Sequence, residues 1–111
     1  MPTFAAGQLE DLATRVLRGA GVRDDEAALI ARELMQANLV GHDSHGVMRL
    51  MQYVACIDKG EIRPAGRPNV VAESPAFLVI DGQFHFGQVI ANQALTWGLE
   101  RASWHGTFTI F

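Results

Sequence analysis

The sequence predicts an α+β protein in which N-terminal helices are followed by a short strand pair and a strand-helix-strand unit. Three observations carry that prediction. Apolar residues recur at three-and-four spacing up to about residue 60, Pro64 and Pro68 then break the chain, and short apolar runs flanked by Ser-Pro and Asp-Gly follow. With 111 residues, 49% hydrophobic and 19% charged, there is room for one modest core and an ordinary globular balance, so one domain or part of a larger one is expected.

Taken in order, Leu9, Leu12, Ala13, Val16 and Leu17 mark one face of a first helix, and Gly19 and Gly21 stop it. Asp24 is placed to cap a second helix, Asp25 and Glu26 suit the positive end of its dipole, and Ala27, Ile30, Ala31 and Leu34 form its buried stripe. GHDSHG is then a break in which Asp43 and Ser44 can each cap a third helix. The spacing predicts that helix over 44–59, burying Val47, Leu50, Met51, Val54 and Ile57 and ending at Gly60. EIRPAGRP reads as a loop, and Asn69–Glu73 and 77–80 read as strands around Ser74-Pro75. Asp81-Gly82 turns the chain into a helix over 87–102, marked by Ile90, Ala94 and Trp97, in which Gly98 costs about 1 kcal/mol relative to alanine. Residues 107–111 form a last strand, and strand, helix, strand predicts a crossover that sets two parallel strands in one sheet. That last strand is apolar, and with Trp97 and Trp104 it leaves surface exposed unless more chain or a partner covers it. The chain therefore reads as an incomplete part of a larger mixed α/β fold, with 1–60 as a helical segment and 61–111 as the start of the mixed sheet.

Composition excludes several functions. A formal net charge of -3 with Lys and Arg scattered along the chain gives no field for gathering phosphates, so nucleic acid is not expected as a partner. Cys56 is alone and sits among Tyr53, Val54 and Ile57, which suits a small buried hydrophobe in a reducing cytoplasm better than a disulfide or a reactive thiol. Glu10 and Asp11 interrupt the N-terminus early, and nowhere do roughly 18 apolar residues follow one another, so neither a signal peptide nor a membrane span is expected.

Reactive side chains are densest at 41–49, GHDSHGVMR, where the second predicted helix hands over to the third. If Ser44 caps that third helix, His45 lies in its first turn and Arg49, four residues on, shares its face. A 2-oxo acid presents a carbonyl beside a carboxylate, so its reduction needs one group to give a proton to the carbonyl oxygen and another to hold the carboxylate. Histidine titrates near neutrality and suits the first task, and the planar guanidinium fork suits the second. Tyr53, a further step of four, is placed to close the pocket.

Other readings of the same residues stay open on spacing alone. His45 and Arg49 equally describe two solvated residues on a helix surface, Ser44 a simple cap, and Tyr53 a residue at the core edge. His42 and His45 make an H-x-x-H with Asp43 between them, but no third ligand has telling spacing, so no metal is expected. His85 and His105, in GQFHFG and WHG, read as exposed. Gly19-Ala20-Gly21 offers two glycines of a G-x-G-x-x-G, yet Asp24 takes the third place and a helix comes before it, so it is not a Rossmann fingerprint.

GHDSHGVMRLMQYVACIDKGEIRPAGRPNVV, preceded by a helical hairpin and followed by AFLVIDGQFHFGQVIANQALTWGLERA, resembles the opening segment of the malate/L-lactate dehydrogenase family, whose enzymes are unrelated to the Rossmann dehydrogenases. The likeness covers essentially the whole chain. Its most specific piece is S-H-G-x-x-R with a tyrosine four residues later, matched by Ser44, His45, Gly46, Arg49 and Tyr53. The resemblance implies an NAD(P)-dependent oxidoreductase acting on a small 2-oxo acid, 2-hydroxy acid or cyclic imine, with NAD or NADP as cofactor. It implies that His45 transfers the proton, that Arg49 faces the substrate carboxylate with Ser44 and Tyr53 beside it, and that the complete enzyme is a homodimer.

It further implies that most of the nicotinamide site, and a second active-site histidine in an N-x-x-H segment, follow the strand at which this sequence stops. The chain is then a fragment or a truncated product, inactive by itself. DGQFHFGQ departs from the family's small-residue turn through Phe84, His85 and Phe86. Two other classes stand beside the enzyme: a noncatalytic helical interaction domain that keeps the fold's front end, and a small metal protein using His42 and His45.

Overall fold

In the computed structural model, which describes residues 2–111, the first helical pattern becomes α1 (Ala6–Gly19) and the second α2 (Asp24–Leu39). The two pack on each other through Ala13 and Leu17 of α1 and Ala27, Ile30, Ala31, Leu34 and Met35 of α2, all buried. All but Met35 are residues that the periodicity selects, whereas Leu12, placed on the same face of α1, is exposed; full burial of a side chain such as Leu17 or Ile30 contributes roughly 1.5–3 kcal/mol. Asp24, Asp25 and Glu26 occupy the first turn of α2, but Asp24 is its first helical residue and not its cap. Its carboxylate turns back to Arg18 Nε at 2.7 Å, so it serves the dipole and an ion pair rather than an orphan amide.

The third helix starts later than predicted. Asp43–His45 and Val47–Arg49 form two separate 3₁₀ turns, Gly46 between them is extended (φ -91°, ψ -154°), and α3 proper covers Leu50–Asp58. Neither Asp43 nor Ser44 caps it. In an uninterrupted helix the Val47 N–H would reach the carbonyl of Asp43; it donates instead to the Asn38 side chain at 2.8 Å, and the ladder breaks there. The buried stripe is correspondingly narrow, with Leu50 buried, Val54 and Ile57 half-buried, and Met51 exposed against expectation.

These elements make up one compact unit that ends at Ala65, and Gly66–Phe111 form a second. In the second unit β1 (Asn69–Glu73) and β2 (Phe77–Asp81) are antiparallel, with a bulge between Val70 and Ala72. Ser74 shapes their turn by accepting the amides of Ala76 and Phe77 on its hydroxyl. Helix α4 (Gly87–His105) then carries the chain to β3 (Thr109–Ile110), which pairs parallel with β2 in the order β1-β2-β3. The predicted crossover is therefore present. Helix α4 runs past residue 102 until Gly106, and the last strand is shorter than 107–111, although Phe111 still exchanges backbone bonds with Leu78 and Ile80 at 2.9 Å. Gly98 has a packing reason, since a Cβ there would come within 3.0 Å of Ile110 Cδ1.

Asp81-Gly82 is not the centre of the turn before α4. Gln83 (φ 55°) and Phe84 (φ 59°) are, and His85 N–H closes the turn onto the Gly82 carbonyl at 3.0 Å. Left-handed backbone costs roughly 1–2 kcal/mol for each such residue. Asp81 offsets part of this by accepting the Gln83 amide at 2.8 Å and its side-chain Nε2 at 2.7 Å. This geometry brings His85 into the interior, beside Phe86 with ring centroids 6.0 Å apart, so His85 is buried rather than exposed as the turn-like sequence suggests.

Candidate active site

The GHDSHGVMR segment is the link between α2 and α3. At the end of α2 the Gly41 amide donates to the Asn38 carbonyl at 3.0 Å and the His42 amide to the Ala37 carbonyl at 2.8 Å. That pair of bonds needs a left-handed residue between helix and exit, and Gly41 supplies it at φ 85°. The chain is thereby turned off the axis of α2 just before His42.

Ser44 connects the residues that the sequence singles out. Its Oγ lies 3.0 Å from His45 Nδ1, and its carbonyl accepts a 2.6 Å bond from Arg49 Nε. Arg49 also donates from Nη1 to Gln52 Oε1 at 2.7 Å, so its guanidinium is held from two sides while Nη2 and the second Nη1 hydrogen remain for an anion. With Nδ1 facing the hydroxyl, Nε2 is the outward nitrogen of His45 in either tautomer, and the residue is exposed. Because His45 lies in a 3₁₀ turn ahead of extended Gly46, it is not in the first turn of α3 as the spacing predicts. Tyr53 sits half-buried on α3, one turn beyond Arg49.

The residue that sequence reasoning missed is Asn38, in the last turn of α2. Its Nδ2 donates to Asp43 Oδ1 at 2.7 Å, its Oδ1 accepts the Val47 amide at 2.8 Å, and a Cβ placed on Gly46 would collide with the same amide group. The available signal was a polar amide near the end of an otherwise apolar-faced helix, just before Gly41. Gly46→Ala must therefore displace the Asn38 side chain and forfeit both bonds. A loss of about 1–3 kcal/mol is expected in urea denaturation, and an unchanged midpoint would contradict this packing.

Elsewhere the chemistry is sparse. The His42 and His45 rings lie 6.0 Å apart, tilted by 56°, and among the described residues no group of three or more His, Cys, Asp or Glu could hold a metal ion. Cys56 is half-buried rather than buried. A hydrogen bond to Glu61, and then desolvation, raise its pKa above the ordinary thiol range, which keeps it protonated and weakly nucleophilic near neutrality. In the second unit a groove of about 590 Å³ lies over α4 and the sheet, lined by Ile80, Ile90, Leu95, Leu99, Phe108 and Phe111 among other apolar residues. Among the described residues no helix is long and apolar enough to cross a membrane.

This fold is shared by solved dehydrogenases and reductases. Malate dehydrogenase from Pyrococcus horikoshii OT3 superposes with a TM-score of 0.88 at 31% identity, over 92% of this chain and 29% of its own. Delta1-piperideine-2-carboxylate reductase from Pseudomonas syringae pvar. tomato superposes with a TM-score of 0.81 at 25% identity, over 93% and 31%. The family described as malate/L-lactate dehydrogenase matches residues 4–110, and the chain belongs to that family. Hydroxycarboxylate dehydrogenase B of Escherichia coli O157:H7 is 38% identical over 103 residues, which are 93% of this chain and 28% of the relative. The chain thus spans between a quarter and a third of the length of these relatives.

Proposed function

We propose that this chain is the N-terminal portion of an NAD(P)-dependent dehydrogenase that interconverts a small 2-oxo acid and its 2-hydroxy acid, or reduces a cyclic imine, as a cytoplasmic homodimer. The observation that carries the reading is Ser44, which joins His45 through its hydroxyl and Arg49 through its carbonyl within a segment shared by the family. In the direction of reduction the free Nη donors of Arg49 pair the substrate carboxylate and fix the adjacent carbonyl. His45 then delivers a proton from Nε2 to the carbonyl oxygen as negative charge develops on it. Ser44 holds the imidazole ring from Nδ1, and Tyr53 closes the pocket behind the substrate.

The nicotinamide nucleotide supplies the hydride when bound. The groove on α4 does not fit it, because its lining residues are all apolar and give a diphosphate no side-chain donor. We place most of the cofactor site beyond residue 111. The reading is tested on the native gene product, with its length fixed by mass spectrometry, by following oxidation of NADH and of NADPH with pyruvate, oxaloacetate and piperideine-2-carboxylate. Turnover of at least one of these is expected. A product of the relatives' length that oxidises neither nucleotide with any of them contradicts the reading.

A further inference from the structure

We propose that Asn38 is a positioning residue for the reaction: it holds residues 43–47 in a kinked, non-helical form, and that form seats His45 and Arg49. This rests on the reading of those two residues as proton donor and carboxylate clamp. Its side-chain hydrogen bonds go to neither of them. Asn38 contacts their frame instead, donating to the Asp43 carboxylate at 2.7 Å, accepting the Val47 amide at 2.8 Å, and lying against the Cα of Gly46 so closely that no Cβ fits.

The sequence itself favours the competing arrangement. Apolar spacing runs on through 44–59 as one helix, and in such a helix the Ser44 carbonyl would accept the Met48 amide, as every carbonyl accepts the amide four residues on. In the structure that carbonyl accepts Arg49 Nε at 2.6 Å instead. The kink at Gly46 is what frees it, and Asn38 is what holds the kink. A primary amide suits the position because one planar group must donate on one side and accept on the other. Alanine offers neither function, and an ionised aspartate cannot donate. The anchor is stable because Asn38 belongs to α2, whose Leu34 and Met35 are buried and whose last turn is closed by the Gly41 amide on the Asn38 carbonyl.

Two variants of the native gene product test this, each read by hydrogen exchange of peptides covering 43–49 and by steady-state kinetics. In Asn38→Ala the Val47 amide should exchange faster, and kcat/KM should fall roughly a hundredfold, the scale of a displacement of about 1 Å in a reacting group. Asn38→Asp carries the sharper signature. Near about pH 8 it sets two carboxylates side by side and should behave like the alanine variant. Toward about pH 5 the pair shares a proton, which restores one donor and one acceptor, so activity and protection should recover relative to the parent at the same pH. Taking the ratio to the parent at the same pH removes the pH dependence that the two proteins share.

A residue that merely stabilised α2 would leave the ratio flat with pH, and a flat ratio overturns the proposal. Should the alanine variant fail to fold, the aspartate variant decides. Unchanged exchange at 43–49 in Asn38→Ala overturns the positioning role alone. Faster exchange with turnover intact in both Asn38→Ala and His45→Ala overturns the reading of His45, and the positioning role with it.

Discussion

Replacing His45 with alanine in the native gene product is expected to lower turnover by roughly two to four orders of magnitude, the range for losing a positioned general acid. Nucleotide affinity should hardly change, because in the proposed mechanism the imidazole serves the substrate carbonyl, with Ser44 on its Nδ1, and not the cofactor. The Ser44 contact adds a smaller, separable effect. Without the hydroxyl at 3.0 Å from Nδ1 the ring is free to rotate, so Ser44→Ala should cost less than His45→Ala and in the same parameter, kcat. Single-turnover kinetics check this, since they separate the chemical step from product release. Near-normal turnover of His45→Ala across the pH range would return His45 to the surface-residue reading.

Arg49→Lys should be damaging although charge is preserved. The guanidinium uses Nε to grip the Ser44 carbonyl at 2.6 Å and Nη1 to grip Gln52 at 2.7 Å while keeping other donors for a carboxylate. An ammonium is one point of charge on a flexible stem and cannot be anchored twice and still present paired donors. Charge-assisted hydrogen bonds contribute about 1.5–3 kcal/mol, so a loss of about ten- to a hundredfold in kcat/KM is expected, expressed at least as much in KM as in kcat. The two variants should thus differ in kind, His45→Ala failing in chemistry and Arg49→Lys in capture. A lysine variant that handles a 2-oxo acid like the parent would contradict the clamp.

Much of this architecture is written in local pattern. The α1–α2 pairing follows from the spacing of Ala13, Leu17, Ala27, Ile30 and Leu34, and the parallel pairing of β2 with β3 follows from strand, helix, strand in sequence order. The candidate site residues were legible as types in a pattern, and Ser44 does bond to both His45 and Arg49. What pattern could not supply was their geometry. Apolar periodicity carries straight through 44–59 and favours one helix, whereas the actual backbone is set by a side chain from the preceding helix, Asn38, taking an amide that the helix would have used. A tertiary hydrogen bond of that kind leaves no periodic trace.

His85 was misjudged for a related reason. A stretch rich in turn formers reads as surface, but the left-handed pair Gln83 and Phe84, steadied by Asp81, reverses the chain and carries the next two side chains inward. Met51 shows the same limit on a smaller scale. Spacing assigned it to the buried stripe, and a helix beginning only at Leu50 buries a narrower one.

The most direct test of the central assignment is a crystal structure of the native gene product with oxamate, a 2-oxo acid analogue that accepts no hydride, bound alongside the nicotinamide nucleotide. The oxamate carboxylate is expected on the Nη donors of Arg49 and its carbonyl oxygen within hydrogen-bonding distance of His45 Nε2, with Ser44 still on Nδ1 and the Gly46 kink unchanged. Oxamate bound against other residues, with His45 and Arg49 both left in solvent, would contradict it.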